Sequence, residues 1–276
     1  MEDRMRSRLW WLGILSGGMF LIAAIVPPIP QPLKYHQFAD ARAYFGIPNF
    51  LNVFSNIAFL FVGIAGLKFL LILRAGRSQV AEVFIESRER WPYLILFLSV
   101  AMTCFGSGYY HLMPDNDRLM WDRLPIAIGI TALLAAALNE RVNPKLGSRL
   151  LPVLITIGAG TVVHWHWSEQ HGVGNLNFYV FVQFYSLLAV LLLAIFFRSR
   201  YTRGADIYVV LTFYGFAKLA ELEDQEIYDL GHLISGHTAK HLLAAAGVYC
   251  ILHMLGKREP LPGKQERPGP RVARLS

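Results

Sequence analysis

The sequence is divided into apolar runs, each about long enough to cross a membrane as an α-helix. The hydrocarbon core of a bilayer is about 30 Å thick, and roughly 20 helical residues span it. None of the runs alternates between apolar and polar residues with a period of two, which argues against a membrane β-barrel. Hydrophobic residues make up 54% of the chain and charged residues only 16%. The sequence therefore predicts an all-α fold, a polytopic bundle of transmembrane helices.

We predict eight spans. They cover residues 9–29, 51–73, 92–112, 121–139, 150–167, 177–197, 206–222 and 236–256. The first span follows several arginines, as a signal peptide does, but the PPIPQP segment after it offers no small-residue cleavage site. We therefore interpret this span as an uncleaved anchor in front of a seven-helix core. The predicted division is a cytoplasmic arm with the extra helix (1–30), a seven-helix domain (31–256) and a basic tail (257–276).

Lysine and arginine are distributed unevenly between the two sets of loops. Nineteen of the 26 lie at the amino terminus, in the loops after spans two, four and six, and in the tail, whereas four lie in the alternate connections. Cytoplasmic loops carry the excess of positive charge, so both termini are predicted to be cytoplasmic. This pattern explains the net charge of +7 as a topology signal, and a nucleic-acid partner is not expected. The Pro-rich tail is expected to be disordered and to contact anionic lipid.

Ionisable residues gather at one depth of this predicted bundle. Span three runs outward, which places Ser107 and His111 near its outer end, and span four begins there with Asp122. Span eight also begins outside, with His237 and His241 one helical turn apart on one face. A pair of histidines at i and i+4 is typical of a helix that binds Zn²⁺, and His111 would be the third ligand. The sequence thus predicts a catalytic zinc site with an open position, on the outer side of the membrane.

Each of these residues also has an ordinary interpretation. A single histidine near an interface can be a hydrogen-bonded packing residue, and Asp122 could cap span four, with Pro125 in its first turn. Ser107, between two glycines, could serve helix packing. The shared depth and the histidine pair together favour the metal site, because ionisable groups inside membranes are costly and are seldom without a role.

Three further features carry weaker predictions. Ser235 is a plausible cap for span eight. In HWHWSEQH (164–171), the two histidines two residues apart point to different helix faces, and the tryptophans suggest an interfacial belt. The acidic stretch ELEDQEIYD (221–229) is interpreted as a solvated face, with a pairing of Lys218 and Glu221 as an option.

Two motifs carry a resemblance to a known family. The segment GSGYYHLMPDNDRLMWDRLP (106–125) looks like the GS-x3-H-x10-D-x-LP signature of the alkaline ceramidases, and HTAKH (237–241) matches the paired histidines of their last core helix. These enzymes belong to a membrane hydrolase superfamily that includes the progestin and adiponectin receptors. FLNVFSN (50–56) resembles the segment that opens the first core helix of the family. The resemblance covers roughly residues 36–255.

The resemblance implies a role for each matching residue. His111, His237 and His241 would bind Zn²⁺, Asp122 would orient and deprotonate the attacking water, and Ser107 would steady the site or the developing oxyanion. These roles imply hydrolysis of the amide bond of a ceramide-like lipid, which gives a sphingoid base and a fatty acid. The chain departs from the family in its acidic calcium-binding stretch. Of the matching positions, only Asp40 and Asn49 are good oxygen ligands, which disfavours calcium dependence.

Two other functions stay open at this point. One is a receptor-like seven-helix protein whose zinc is structural, and this function would require a fourth protein ligand. The other is a metal transporter, which would require polar residues along the whole path, whereas the inner halves of spans three and eight are nearly all apolar.

Overall fold

The computed structural model describes residues 2–75 and 83–262. In these two ranges the chain is helical and contains no β-strand. The helices are α1 (Glu2–Ile25), α2 (Phe50–Phe54), α3 (Ile57–Ala75), α4 (Arg90–Leu112), α5 (Asn116–Arg141), α6 (Pro144–Gln170), α7 (Asn177–Phe196), α8 (Asp206–Leu222), α9 (Asp224–Asp229) and α10 (Gly236–Lys257). Short 3₁₀ turns lie at Leu33–His36 and Ser87–Glu89.

The helices confirm the predicted polytopic bundle. Seven of those described are long and apolar enough to cross a membrane, as in an integral, multi-pass membrane protein. The seventh predicted span corresponds to α8, which has 17 residues and does not belong to this set of seven. Its shortness agrees with the polar residues that interrupt its apolar run, Lys218 and Glu221.

The centre of the bundle is formed by α4 and α5. Their apolar windows are 56% and 67% buried, more than those of the other spanning helices. Four small buried side chains on α5, at Ala132 and Ala135 to Ala137, let neighbouring helices approach closely. At the other extreme, none of the apolar window of α1 is buried, and α1 packs against α7. Helix α1 therefore lies at the periphery of the described bundle.

Helix α5 begins earlier than the sequence predicts. Its cap is Asp115, whose carboxylate accepts a hydrogen bond from the backbone N–H of Arg118 at 2.7 Å. Hydropathy located only the apolar part of the helix, because the helix begins with three polar residues, Asn116, Asp117 and Arg118. Asp122 is therefore a buried residue in the second turn, and the alternative that it caps this helix is wrong.

The start of α10 is held by a cap and by a close backbone approach. Ser235 accepts a hydrogen bond from the backbone N–H of Thr238 at 3.3 Å, which confirms the predicted cap. A Cβ on Gly236 would lie 2.0 Å from the carbonyl oxygen of Ala220, so only glycine permits this contact. The contact places the first turn of α10 against the end of α8.

The opposite end of the bundle contains a buried ionic contact. The Arg258 guanidinium lies 3.2 Å from a carboxylate oxygen of Glu140 and 4.1 Å from the ring centroid of Tyr201. The first residues of the predicted tail thus pack on the bundle. The part of that tail from 263 to 276 lies outside the described residues, as does the loop from 76 to 82.

Candidate metal centre

Three histidines from two helices meet at one end of the bundle. His111 lies in the last turn of α4, and His237 and His241 lie in the first turns of α10. One ring nitrogen of each lies within 4.8 Å of those of the other two, and the ring centroids are 4.8 to 5.1 Å apart. All three side chains are buried. The histidines that the sequence predicts to share a site do so, and together they could bind a metal ion.

The environment of His111 fits a metal ion. Its ring is 0% exposed, and neither ring nitrogen has a hydrogen-bond partner among the described residues. An unpaired polar group in a protein interior costs about 1–3 kcal/mol. A cation between the three rings would give one of these nitrogens a partner. The donor set of imidazole nitrogens suits zinc among other transition metals.

The other two rings are oriented by polar neighbours. The Nδ1 atom of His241 lies 2.8 Å from the Ser55 hydroxyl, which leaves Nε2 for a metal, as is usual for ligating histidines. The Nε2 atom of His237 lies 2.9 Å from the ammonium group of Lys240. Because an ammonium group only donates, this nitrogen accepts with its lone pair. A metal bound at Nε2 of His237 would therefore replace the contact with Lys240, whose ammonium group also pairs with Glu221.

The FLNVFSN segment (50–56) and the residue before it, Asn49, tie the two histidine-bearing helices together. The amide of Asn49 donates to the backbone carbonyl of His111 at 2.9 Å. The amide oxygen of Asn52 accepts from the Thr238 hydroxyl at 2.8 Å. The ring of Phe38 packs over the site, with its centroid 4.7 Å from those of His111 and His237. The segment singled out by resemblance therefore bonds directly to α10, and Asn49 just before it bonds to the end of α4.

Ser107 and Asp122 lie together beside this site. Both are buried, their side chains are close, and both line one cavity with His241. A Cβ on Gly106 would lie 2.1 Å from the carbonyl oxygen of Trp121. Glycine at this position lets α4 and α5 approach closely enough to bring the hydroxyl to the carboxylate.

An ion-pair cluster next to the histidines was missed by the sequence reasoning. Lys240 lies 2.9 Å from a carboxylate oxygen of Glu221, and Lys218 also pairs with Glu221, as the sequence analysis allowed. The carboxylate of Asp224 accepts from the backbone N–H of His237 at 2.6 Å. The interpretation of 221–229 as a solvated face is therefore wrong for Glu221 and Asp224. The position of Lys240, three residues after His237 on one helix, was the available signal.

The cavity extends from the polar site into the apolar bundle. Its volume is about 370 Å³, within the range of small-molecule sites. Polar and charged groups line it near Asp122 and His241, and apolar side chains such as Leu96, Leu133 and Ile251 line the remainder. From Asp122 to Leu133 the helix rises by roughly 16 Å. A molecule with a polar head and an apolar chain matches this lining.

The weaker candidates lie elsewhere. His164 packs against Phe178, whereas His166 lies 2.9 Å from a carboxylate oxygen of Asp117, so the two point to different neighbours, as predicted. His232 lies between α9 and α10 with φ of 56°.

The side chains of the two residues considered for calcium make contacts within the protein, Asn49 through its amide nitrogen and Asp40 through its carboxylate oxygens. Asn49 donates its amide to the His111 carbonyl, and Asp40 pairs with Arg42 at 2.7 Å. Burial raises the pKa of Asp40, but the hydrogen bonds and charge of Arg42 hold this pKa below its ordinary value. The carboxylate is therefore ionised and engaged.

Comparison with known proteins gives one match. Residues 57–259 match a family of unknown function, DUF6962. No curated protein matches the chain, and no solved structure matches it. The matched segment begins at the first residue of α3 and ends just beyond α10, so it includes all three histidines, Ser107 and Asp122. Because this match covers well over half of the sequence, the chain belongs to the DUF6962 family.

Proposed function

We propose that this protein is a zinc-dependent hydrolase of a lipid amide, most similar in its chemistry to a ceramidase. One observation carries the proposal. The three-histidine cluster adjoins a buried carboxylate, and His241 and Asp122 line the same largely apolar cavity.

Zinc fits the residues present. His111, His237 and His241 would hold it, and no fourth histidine, cysteine or carboxylate joins this cluster in the described ranges. Three protein ligands are typical of catalytic rather than structural zinc sites. When bound, the ion would act as a Lewis acid that polarises the amide carbonyl and makes water more acidic.

Asp122 is the proposed general base. Its carboxylate would accept a proton from water as the water oxygen attacks the amide carbon, and it would return the proton to the nitrogen as the C–N bond breaks. Ser107, beside it, would orient this carboxylate or donate to the developing oxyanion. Both are held by the close approach of α4 and α5.

The apolar lining of the cavity favours a lipid substrate over a water-soluble one. Its apolar part lies among helices of a membrane protein, where an acyl chain can leave the bilayer without crossing water. Its polar end would hold the amide. The lining by Leu96, Leu133 and Ile251 also disfavours a metal transporter, because ions need polar ligands along their whole path.

The test uses purified protein and a membrane lipid extract, with mass spectrometry of the products. We expect release of fatty acid and amine from N-acyl lipids, with ceramide as the first candidate, and loss of release after chelation. Asp122→Asn should retain the metal but lose about 10²–10⁴ in rate, since an amide cannot take the proton. The matched control is Asp117→Asn, which changes an exposed carboxylate on the same helix.

Two results would count against the proposal. Wild-type turnover in the metal-loaded Asp122→Asn variant would remove Asp122 as the base. Absence of any lipid hydrolysis, with a metal that stays bound, would favour a receptor-like protein with structural zinc.

A further inference from the structure

Arg123, next to the proposed base, is a buried cation on the wall of the same cavity. Its side chain is 5% exposed, and it lines the cavity together with Asp122. Aromatic rings surround its guanidinium. The centroids of Trp165, Tyr179 and Tyr35 lie 4.2, 4.8 and 5.3 Å from its Cζ atom. The cation is thus held in a fixed place by cation–π contacts.

The hydrogen bonding of this guanidinium is incomplete. One terminal nitrogen, Nη2, donates to the amide oxygen of Gln31 at 2.6 Å. The other, Nη1, is buried and has no partner among the described residues. No described carboxylate lies within 4.0 Å of the guanidinium. The aromatic faces attract the positive charge of the guanidinium, but they accept no ordinary hydrogen bond from Nη1. The Nη1 nitrogen of Arg123 therefore remains as a donor for a ligand.

The charges that line the cavity do not balance. The described lining contains three cations, Arg123, Lys218 and Lys240, and two acids, Asp122 and Glu221. Glu221 pairs with both lysines. Of the three cations, Arg123 is the one with no described carboxylate within 4.0 Å. A buried charge is strongly disfavoured unless it is paired.

We propose that Arg123 binds an anionic oxygen of the lipid substrate. Among N-acyl lipids, those whose amine part carries a carboxylate or a phosphate near the amide would then bind more tightly than neutral ceramide. A planar guanidinium suits both groups, because carboxylate and phosphate oxygens accept from it in a bidentate manner. That the bound lipid is a substrate rests on the proposed function. Binding of the anionic lipid at Arg123 can be tested without turnover.

The test compares lipids that share one acyl chain and differ in charge. Radiolabelled N-palmitoylglycine, N-palmitoyl-O-phosphoethanolamine and neutral N-palmitoylethanolamine are bound to the zinc-loaded Asp122→Asn protein in detergent, where no turnover interferes. We expect at least one anionic lipid to bind about tenfold or more tightly than the neutral one. Tighter binding of N-palmitoylglycine would indicate recognition of a carboxylate, and tighter binding of N-palmitoyl-O-phosphoethanolamine would indicate recognition of a phosphate.

Variants assign the preference to Arg123. Arg123→Gln, made in the Asp122→Asn background, should abolish the preference for the anionic lipid and leave binding of the neutral lipid nearly unchanged. Arg123→Lys keeps the charge but not the planar fork, and it should keep part of the preference. The matched control is Arg118→Gln, because Arg118 lies on the same helix and is already paired with Asp115.

Equal binding of charged and neutral lipids by the protein with Arg123 intact would overturn the inference. So would a preference that survives in Arg123→Gln. If that variant fails to fold, the comparison of Arg123→Lys with the parent protein decides. Hydrolysis of neutral ceramide without any anion preference would refute this inference alone, whereas anion-selective binding without any turnover would refute only the hydrolase proposal.

Discussion

At the residue scale, the candidate metal centre depends on His111, whose ring makes no hydrogen bond in the described structure. The ring of His111 is fully buried without a hydrogen bond in the described structure, while its backbone carbonyl is bound by Asn49. A packing histidine would be expected to have found a partner, as buried polar groups nearly always do. The unpaired ring is therefore better explained as a ligand than as a structural residue.

We predict about one tightly bound zinc per chain and a large loss of it in His111→Ala or His237→Ala. Removing one of three imidazoles leaves two ligands, too few to hold the ion firmly. Metal analysis of the purified variants gives the answer. His164→Ala, which removes a histidine packed outside the site, is the control and should keep the metal. Full occupancy in His111→Ala would exclude the site described above.

At the element scale, the critical feature is the contact between α4 and α5. The absent side chain of Gly106 leaves room for the carbonyl oxygen of Trp121, one residue before the proposed base. The neighbouring Gly108, in contrast, has nothing within 4 Å of the position of a Cβ. Two glycines in one short segment thus serve different purposes, which the sequence could not distinguish.

Gly106→Ala should separate these helices and misplace Ser107 against Asp122. We expect a loss of stability of about 1–3 kcal/mol, as for other overpacked sites, and a loss of activity larger than the fraction unfolded explains. Gly108→Ala should change neither. Thermal unfolding and lipid turnover, both in detergent, measure the two effects. Similar behaviour of the two variants would show that the close approach is not required.

At the scale of the whole molecule, the charges of the loops predict how the protein is oriented in the membrane. The helices establish a multi-pass protein, and the side on which the site lies is still a prediction from the distribution of Lys and Arg. The turn after α6, at Gly172, is predicted to be outside, whereas the carboxyl terminus is predicted to be cytoplasmic.

Reporter fusions after Ser276 and near Gly172 should therefore report opposite sides of the membrane. The physical reason is that positively charged loops are retained in the cytoplasm. A pair of reporters active on complementary sides, such as one fluorescent only in the cytoplasm and one enzymatic only outside it, makes the measurement. The same side for both fusions would overturn the predicted span count, including the assignment of α8 as a span.

The sequence by itself determined the helices and the histidine pair. Length and hydropathy select a transmembrane helix because the bilayer has a fixed thickness, and a four-residue spacing puts His237 and His241 on one face whatever surrounds them. These are local properties. Even the third histidine of the cluster, His111, could be inferred, because a shared depth in the membrane restricts which residues can meet.

The tertiary structure decided the contacts between distant segments. Asp122 has a residue type that often caps helices, but the helix begins at Asn116 and its cap is Asp115. Capping depends on backbone conformation and not on residue type alone. The links of Lys240 to Glu221 and of Ser55 to His241 join residues far apart in the chain. The aromatic cage of Arg123 draws on three separate segments. Packing of whole helices sets such contacts, and no spacing within one helix encodes them.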